Sequence, residues 1–197
     1  VTQGGGTLNL SGTWSNGGTI AVSAGTLNLG GNFTTAGVGT ITNTGGIVNL
    51  TGALNNTGGT LVLDGNTGSW RMSGGSITGG TVTMTRGAEL LPQATSANLL
   101  SNVTVNGDIR MNAAQGGLRV NGLVLNGTLR LIASNANLGI EGNQTWTSGT
   151  ISFEGTSGSQ SLTMVSAGVL TLAGGSIQVQ SGNANIGVGG YWWSAAM

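Results

Sequence analysis

The chain has 197 residues with five Arg, five acidic residues, no Lys, no His, no Cys and a formal net charge of zero. So few cations argue against a nucleic-acid partner, whose phosphate backbone is bound mainly by Lys and Arg, and the absence of thiols excludes a disulfide or thiolate site. Gly is 40 of 197 with a single Pro, which is neither collagen nor a proline-rich linker, and 38% hydrophobic content without net charge points to order rather than disorder.

The chain opens on Thr7-Leu8-Asn9-Leu10, which returns as Thr26-Leu27-Asn28-Leu29 and Ile47-Val48-Asn49-Leu50. The wording then drifts while the apolar–polar–apolar pattern persists, in Ser69–Met72, Gly87–Leu90, Asp108–Met111, Thr128–Leu131, Thr150–Phe153 and Val169–Leu172. The third residue of each copy runs 9, 28, 49, 71, 89, 110, 130, 152, 171. A period of about 20 residues is the signature of a repeat architecture.

Each period holds more than one strand. After the first copy come a middle segment with one large apolar residue (Trp14), a turn at Asn16-Gly17-Gly18, and a second alternating strand, Thr19-Ile20-Ala21-Val22. Later periods repeat this, with Phe33 or Leu54 in the middle and Gly-rich turns between, which is the chemistry of corners that need positive φ or little bulk. The second alternating strand reads Ile20/Val22, Leu61/Leu63, Val82/Met84, Val103/Val105, Leu123/Leu125, Leu162/Met164, Ile177/Val179. Alternation places one side chain in two inward, and no stretch carries the three-and-four spacing of an amphipathic helix.

Three short strands per period wind into a triangular coil, and stacked coils supply the core that one coil cannot bury alone. The expectation is an all-β fold: a single-stranded parallel β-helix, a β-solenoid of about nine coils, in one domain over 1–197. Repeat coils occupy 4–190, and 191–197 form an aromatic tail or partial cap. Residues 86–100, with the only Pro, read as a coil with a bulging loop, because Pro cannot donate within a central strand. The register of 133–149 is left open. Nothing spans a membrane as a helix, since no apolar run reaches about 20 residues. No leader is visible at Val1, which fits a mature form or an excised piece.

Copies such as Gly6-Thr7-Leu8-Asn9-Leu10 followed by Asn16-Gly17-Gly18-Thr19-Ile20 resemble the repeats of filamentous-haemagglutinin-like and autotransporter-passenger bacterial adhesins. The resemblance covers roughly 4–190 and is strongest over 4–85. It implies a right-handed coil, secretion to the cell surface, and service as an adhesive or spacer stalk. It carries no site residues.

The outward column of the opening strand is the first candidate surface. Asn9, Asn28 and Asn49 are expected to form an amide ladder. Arg71, Glu89 and Arg110 alternate in sign and could form a salt ladder, while Arg110 and Arg130, with Arg119 near, could make a partly cationic stripe for an acidic glycan or a protein partner. Among the acids, only Glu89 and Asp108 fall in adjacent coils near one strand, a poor basis for glycoside hydrolysis, which needs two carboxyls about 5–10 Å apart. No cluster of three acids suggests a metal, and no His is present as a base. An ice-binding array fails on the mixed outward column of the second alternating strand, Ala21, Val62, Thr83, Thr104, Val124, Thr163, Gln178. Trp14 and Trp146 could stack on sugars, whereas Trp70 is inward and reads as core. Tyr191, Trp192 and Trp193 form a candidate end contact. Asn-X-Thr triplets are no commoner than chance in so Asn- and Thr-rich a chain. The expected role is a non-catalytic structural or adhesive segment without cofactor, secreted or surface-exposed. The alternative is a subunit that partners itself and stacks end to end into filaments.

Overall fold

A computed structural model of the chain describes residues 1–165 and 168–188. They form a β-solenoid whose strands all pair in parallel with the coils above and below. The first side is one uninterrupted sheet of nine strands, from Thr7–Leu10 at one end to Ser176–Val179 at the other. The second side is a sheet of eight strands, from Asn32–Thr34 to Asn183–Val188. The third side is divided into three sheets of three, four and two strands. One helical turn, Thr35–Val38, replaces a corner of the second coil, capped by the Thr34 hydroxyl accepting from the Gly37 N–H.

The core follows from alternation. On the first side the inward pairs Leu27/Leu29, Val48/Leu50, Trp70/Met72, Leu90/Pro92, Ile109/Met111, Leu129/Leu131 and Ile151/Phe153 follow one another from coil to coil and are buried. Each such side chain contributes roughly 1.5–3 kcal/mol by leaving water. The middle segment supplies the second inward column, Phe33, Leu54, Ile77, Leu100, Val120 and Ile140, in register from coil to coil. Trp14 stacks on Phe33 with ring centroids 4.4 Å apart and planes 21° from parallel, an aromatic pair between the first two coils.

The solenoid changes gauge at the fifth coil. The corner between the first and second sides takes two or three residues in the early coils (30–31, 51–52, 73–75), five or six in coils five to eight (93–98, 112–116, 132–136, 154–158) and three again in the last (180–182). Second-side strands lengthen one coil later, from the three residues of Asn32–Thr34 and of Leu99–Ser101 to the five of Gly117–Asn121 and six of Ser159–Met164. A further inward column, Leu118, Leu138 and Leu162, fills the wider section. Buried Asn98 organises the transition. Its Oδ1 accepts from the Gly74 N–H at 2.8 Å, and its Nδ2 donates to the Gln93 and Gly117 carbonyls at 3.1 and 2.8 Å, tying three coils together.

Several expected registers are corrected. The outward position of the fifth coil is Leu91, not Glu89, because Arg71 pairs with Leu91 and Leu90 pairs with Ile109. The preceding corner absorbs the two extra residues, turning through consecutive left-handed positions at Arg86 (φ 54) and Gly87 (φ 78). Pro92 is no bulge: it is a buried strand residue opposite Met72. The Gln93 N–H still donates to Met72 O, so the missing N–H falls toward the sixth coil, where the ladder shrinks to Leu90 opposite Ile109. Leu170–Leu172 is a third-side strand rather than an opening one, Leu162/Met164 belong to the second side, and Ile177/Val179 to the first. A constant step misplaces all three, since the step from Ser152 to its partner Gln178 is 26 residues. The open stretch around 133–149 resolves into Asn137–Ile140 on the second side and Gln144–Trp146 on the third.

Candidate polar groove on the first side

The first-side outward column begins as an amide ladder. Asn28 Nδ2 donates to Asn9 Oδ1 at 2.6 Å, and Asn49 Nδ2 donates to Asn28 Oδ1 at 2.8 Å. Vertical strand stacking places like residues about 4.8 Å apart, which an Asn side chain spans while remaining donor to one neighbour and acceptor to the other. Arg71 follows, exposed and without an ion pair among the described residues.

Charge is confined to Asp64 through Glu154. Arg110 Nη1 bonds Glu89 Oε1 at 3.1 Å. Arg130 reaches both ways along the stack: Nε to Asp108 Oδ2 at 3.1 Å in the coil before, and Nη1 to Glu154 Oε1 at 2.6 Å in the coil after. Donating hydrogen bonds to these carboxylates, Glu154 first and then Asp108, raises the Arg130 guanidinium above its ordinary value. Both acids are themselves held. Asp108 Oδ1 accepts from the Thr128 N–H at 2.8 Å, and Glu154 Oε1 accepts from the Ser152 hydroxyl at 2.7 Å.

This network lines a shallow open groove of about 450 Å³ that crosses the first side obliquely over coils five to eight. Met84 and Ala88 border it at one corner and Ile132 at the other, with the ion-paired side chains between. Its charged lining is three carboxylates against two guanidinium groups, a net charge of minus one. The partly cationic stripe expected from the sequence is therefore corrected: Arg110 and Arg130 are neutralised in place. Glu89 belongs to the groove from the corner before the fifth strand, not from the outward column. Arg119 does not join it. It lies on the second side, with Nη1 on Glu141 Oε1 at 2.7 Å and Nε on Ser96 O at 2.8 Å.

Reading only the outward column missed Asp108 and Glu154 as the partners of Arg130. The signal was present, since each stands two residues from a column position, at a corner that also projects outward. A second polar ladder was missed too: Asn106 Nδ2 to Thr83 Oγ1 (3.5 Å), Asn126 Nδ2 to Asn106 Oδ1 (2.9 Å), and Ser148 Oγ to Asn126 Oδ1 (3.2 Å). The third-side outward column is likewise corrected: Thr60, Thr81, Thr104 and Val124 stand in one row and Val62, Thr83, Asn106 and Asn126 in the other, while Thr163 and Gln178 lie on other sides. Two mixed rows on a divided sheet give no lattice for ice. Trp70 is core at 1% exposure, and Trp146 is buried with Nε1 donating to Gln144 Oε1 at 3.2 Å, so neither offers a face to a sugar. Trp14 is half-buried and engaged with Phe33. Tyr191, Trp192 and Trp193 lie outside the described residues.

Among the described residues no group of three or more acids, His or Cys is placed to hold a metal ion, and no helix is long and apolar enough to cross a membrane. No family model, no curated protein and no solved structure matches the chain.

Proposed function

We propose that the chain is a non-catalytic structural segment of a secreted or surface-exposed bacterial protein, serving as a rigid stalk with adhesive sides. The carrying observation is the first side: nine strands in one unbroken parallel sheet, with outward polar side chains linking coils one to three and coils five to eight. Side chains committed to holding the stack are what a load-bearing rod needs. The acids also support the non-catalytic reading, because each groove carboxylate is already engaged in an ion pair with a guanidinium between coils. An uncharged surface of Thr, Ser, Asn and Gly over the first three coils fits the extracellular side.

Sedimentation velocity over a hundredfold concentration range tests the stalk against self-assembly into filaments. A stalk segment stays monomeric throughout, whereas mass that rises with concentration would favour end-to-end stacking. Incubation with neutral and acidic polysaccharides should release no new reducing ends and no unsaturated products; either product would establish an enzyme instead.

A further inference from the structure

We infer that the groove over coils five to eight is a binding site for a neutral oligosaccharide. The inference rests on the adhesive reading and names what the adhesive side would recognise.

Three observations converge on uncharged polyols. The volume, about 450 Å³, lies in the range of small-molecule sites, and three coil steps of about 4.8 Å give it a length of roughly 14 Å, enough for two or three sugar rings. The second is the charge pattern. Polyanions meet a net negative lining, and a uronate carboxylate would stand beside Glu89, Asp108 or Glu154. Cations meet carboxylates already bonded to Arg110 or Arg130. A hydroxyl suits such a lining, because it donates to a carboxylate oxygen and accepts from a guanidinium N–H at once. Arg110 bonds Glu89 through Nη1 alone, and Arg130 engages its two acids through Nε and Nη1, so each fork retains N–H groups for a ligand. Alternating donors and acceptors, fixed by their own ion pairs, can serve neighbouring hydroxyls at little ordering cost on binding.

The third is the border. Met84, Ala88 and Ile132 give apolar surface on which the C–H face of a pyranose can rest. The groove is open along its length, so an oligosaccharide can enter along a polymer chain rather than only at its end.

The test is calorimetric titration of the full chain with cellotriose, maltotriose, xylotriose and mannotriose, and with trigalacturonate as the acidic comparison, at 50 and 300 mM salt. The expected result is saturable binding of at least one neutral trisaccharide, changed less than twofold by salt, with trigalacturonate at least tenfold weaker. Arg110→Gln and Glu89→Gln, both on an exposed pair, should each weaken that binding at least fivefold. Arg119→Gln, which removes the second-side ion pair, should leave it unchanged and controls for the loss of an inter-coil bond. No neutral binding, trigalacturonate binding best, or binding indifferent to the Arg110 and Glu89 changes would each overturn the inference. A monomer in sedimentation together with no saccharide binding would leave the stalk reading standing and remove only this site.

Discussion

Asn98 shows how much one side chain carries in this fold. It is fully buried and serves a donor and two acceptors in three different strands or corners. Asn98→Ala strands the Gly74 N–H and two carbonyls away from water, and an unsatisfied buried group costs about 1–3 kcal/mol. We predict a loss of about 2–3 kcal/mol in urea unfolding; a loss below about 0.5 kcal/mol would mean that water replaces the amide. Asp64 makes the complementary case at the surface. Backbone N–H groups of Thr67 and then Asn66 bond its carboxylate and hold it below the ordinary value of 3.8, with Arg86 acting in the same direction. Because the folded value is the lower one, the ionised form stabilises the fold above pH 3.8, and that contribution fades as pH falls through the folded value. Asp64→Asn keeps an acceptor but removes the charge. The wild-type advantage over this variant should be constant from pH 7 to about 5 and close below about pH 4; a constant gap down to pH 2 would contradict the assignment.

Corners set the register of the strands, and glycine sets the corners. Gly52 sits directly over Gly31, and a Cβ there would run into the backbone of Gly30 and Gly31. Rigid backbone cannot yield as a side-chain tip can, so Gly52→Ala should cost about 2–3 kcal/mol. Gly17, at a corner of the first coil, opens to empty space without positive φ, and Gly17→Ala should stay within about 0.5 kcal/mol. Comparing their urea midpoints checks both, and equal midpoints would refute the close-stacking account. Elements also mark where the sequence was legible. Three strands per coil, the inward pairs and the Asn9–Asn28–Asn49 ladder follow from alternation and near-identical copies, so they could be read directly. The later coils could not, because corner lengths are invisible to a pattern of alternation. The two left-handed residues Arg86 and Gly87 moved Glu89 off its strand, and the lengthened corners of the wider coils carried Leu170–Leu172 to another side. The groove was legible in its arginines and in the pairing of Glu89 with Arg110. Its acids come from corners, and pairing across two coils at once, as at Arg130, depends on that three-dimensional register.

At the scale of the whole molecule, each coil touches only its neighbours, so stability is a sum over adjacent interfaces rather than one global core. The four ion pairs among the described residues lie in coils five to eight, while the first three coils carry none and are joined by parallel ladders, apolar columns and side-chain bonds such as those of the Asn amides. Exposed pairs of this kind are worth about 0–1 kcal/mol each, so they tune a stack whose strength comes from burial and the parallel ladders. A solenoid built this way should yield to force coil by coil. Single-molecule pulling from the two ends tests that most directly. The account predicts a sawtooth whose steps each release one coil of about 21 residues, or roughly 75 Å of extended chain. One all-or-none rip releasing the whole chain would show a single cooperative globule and contradict the coil-by-coil account.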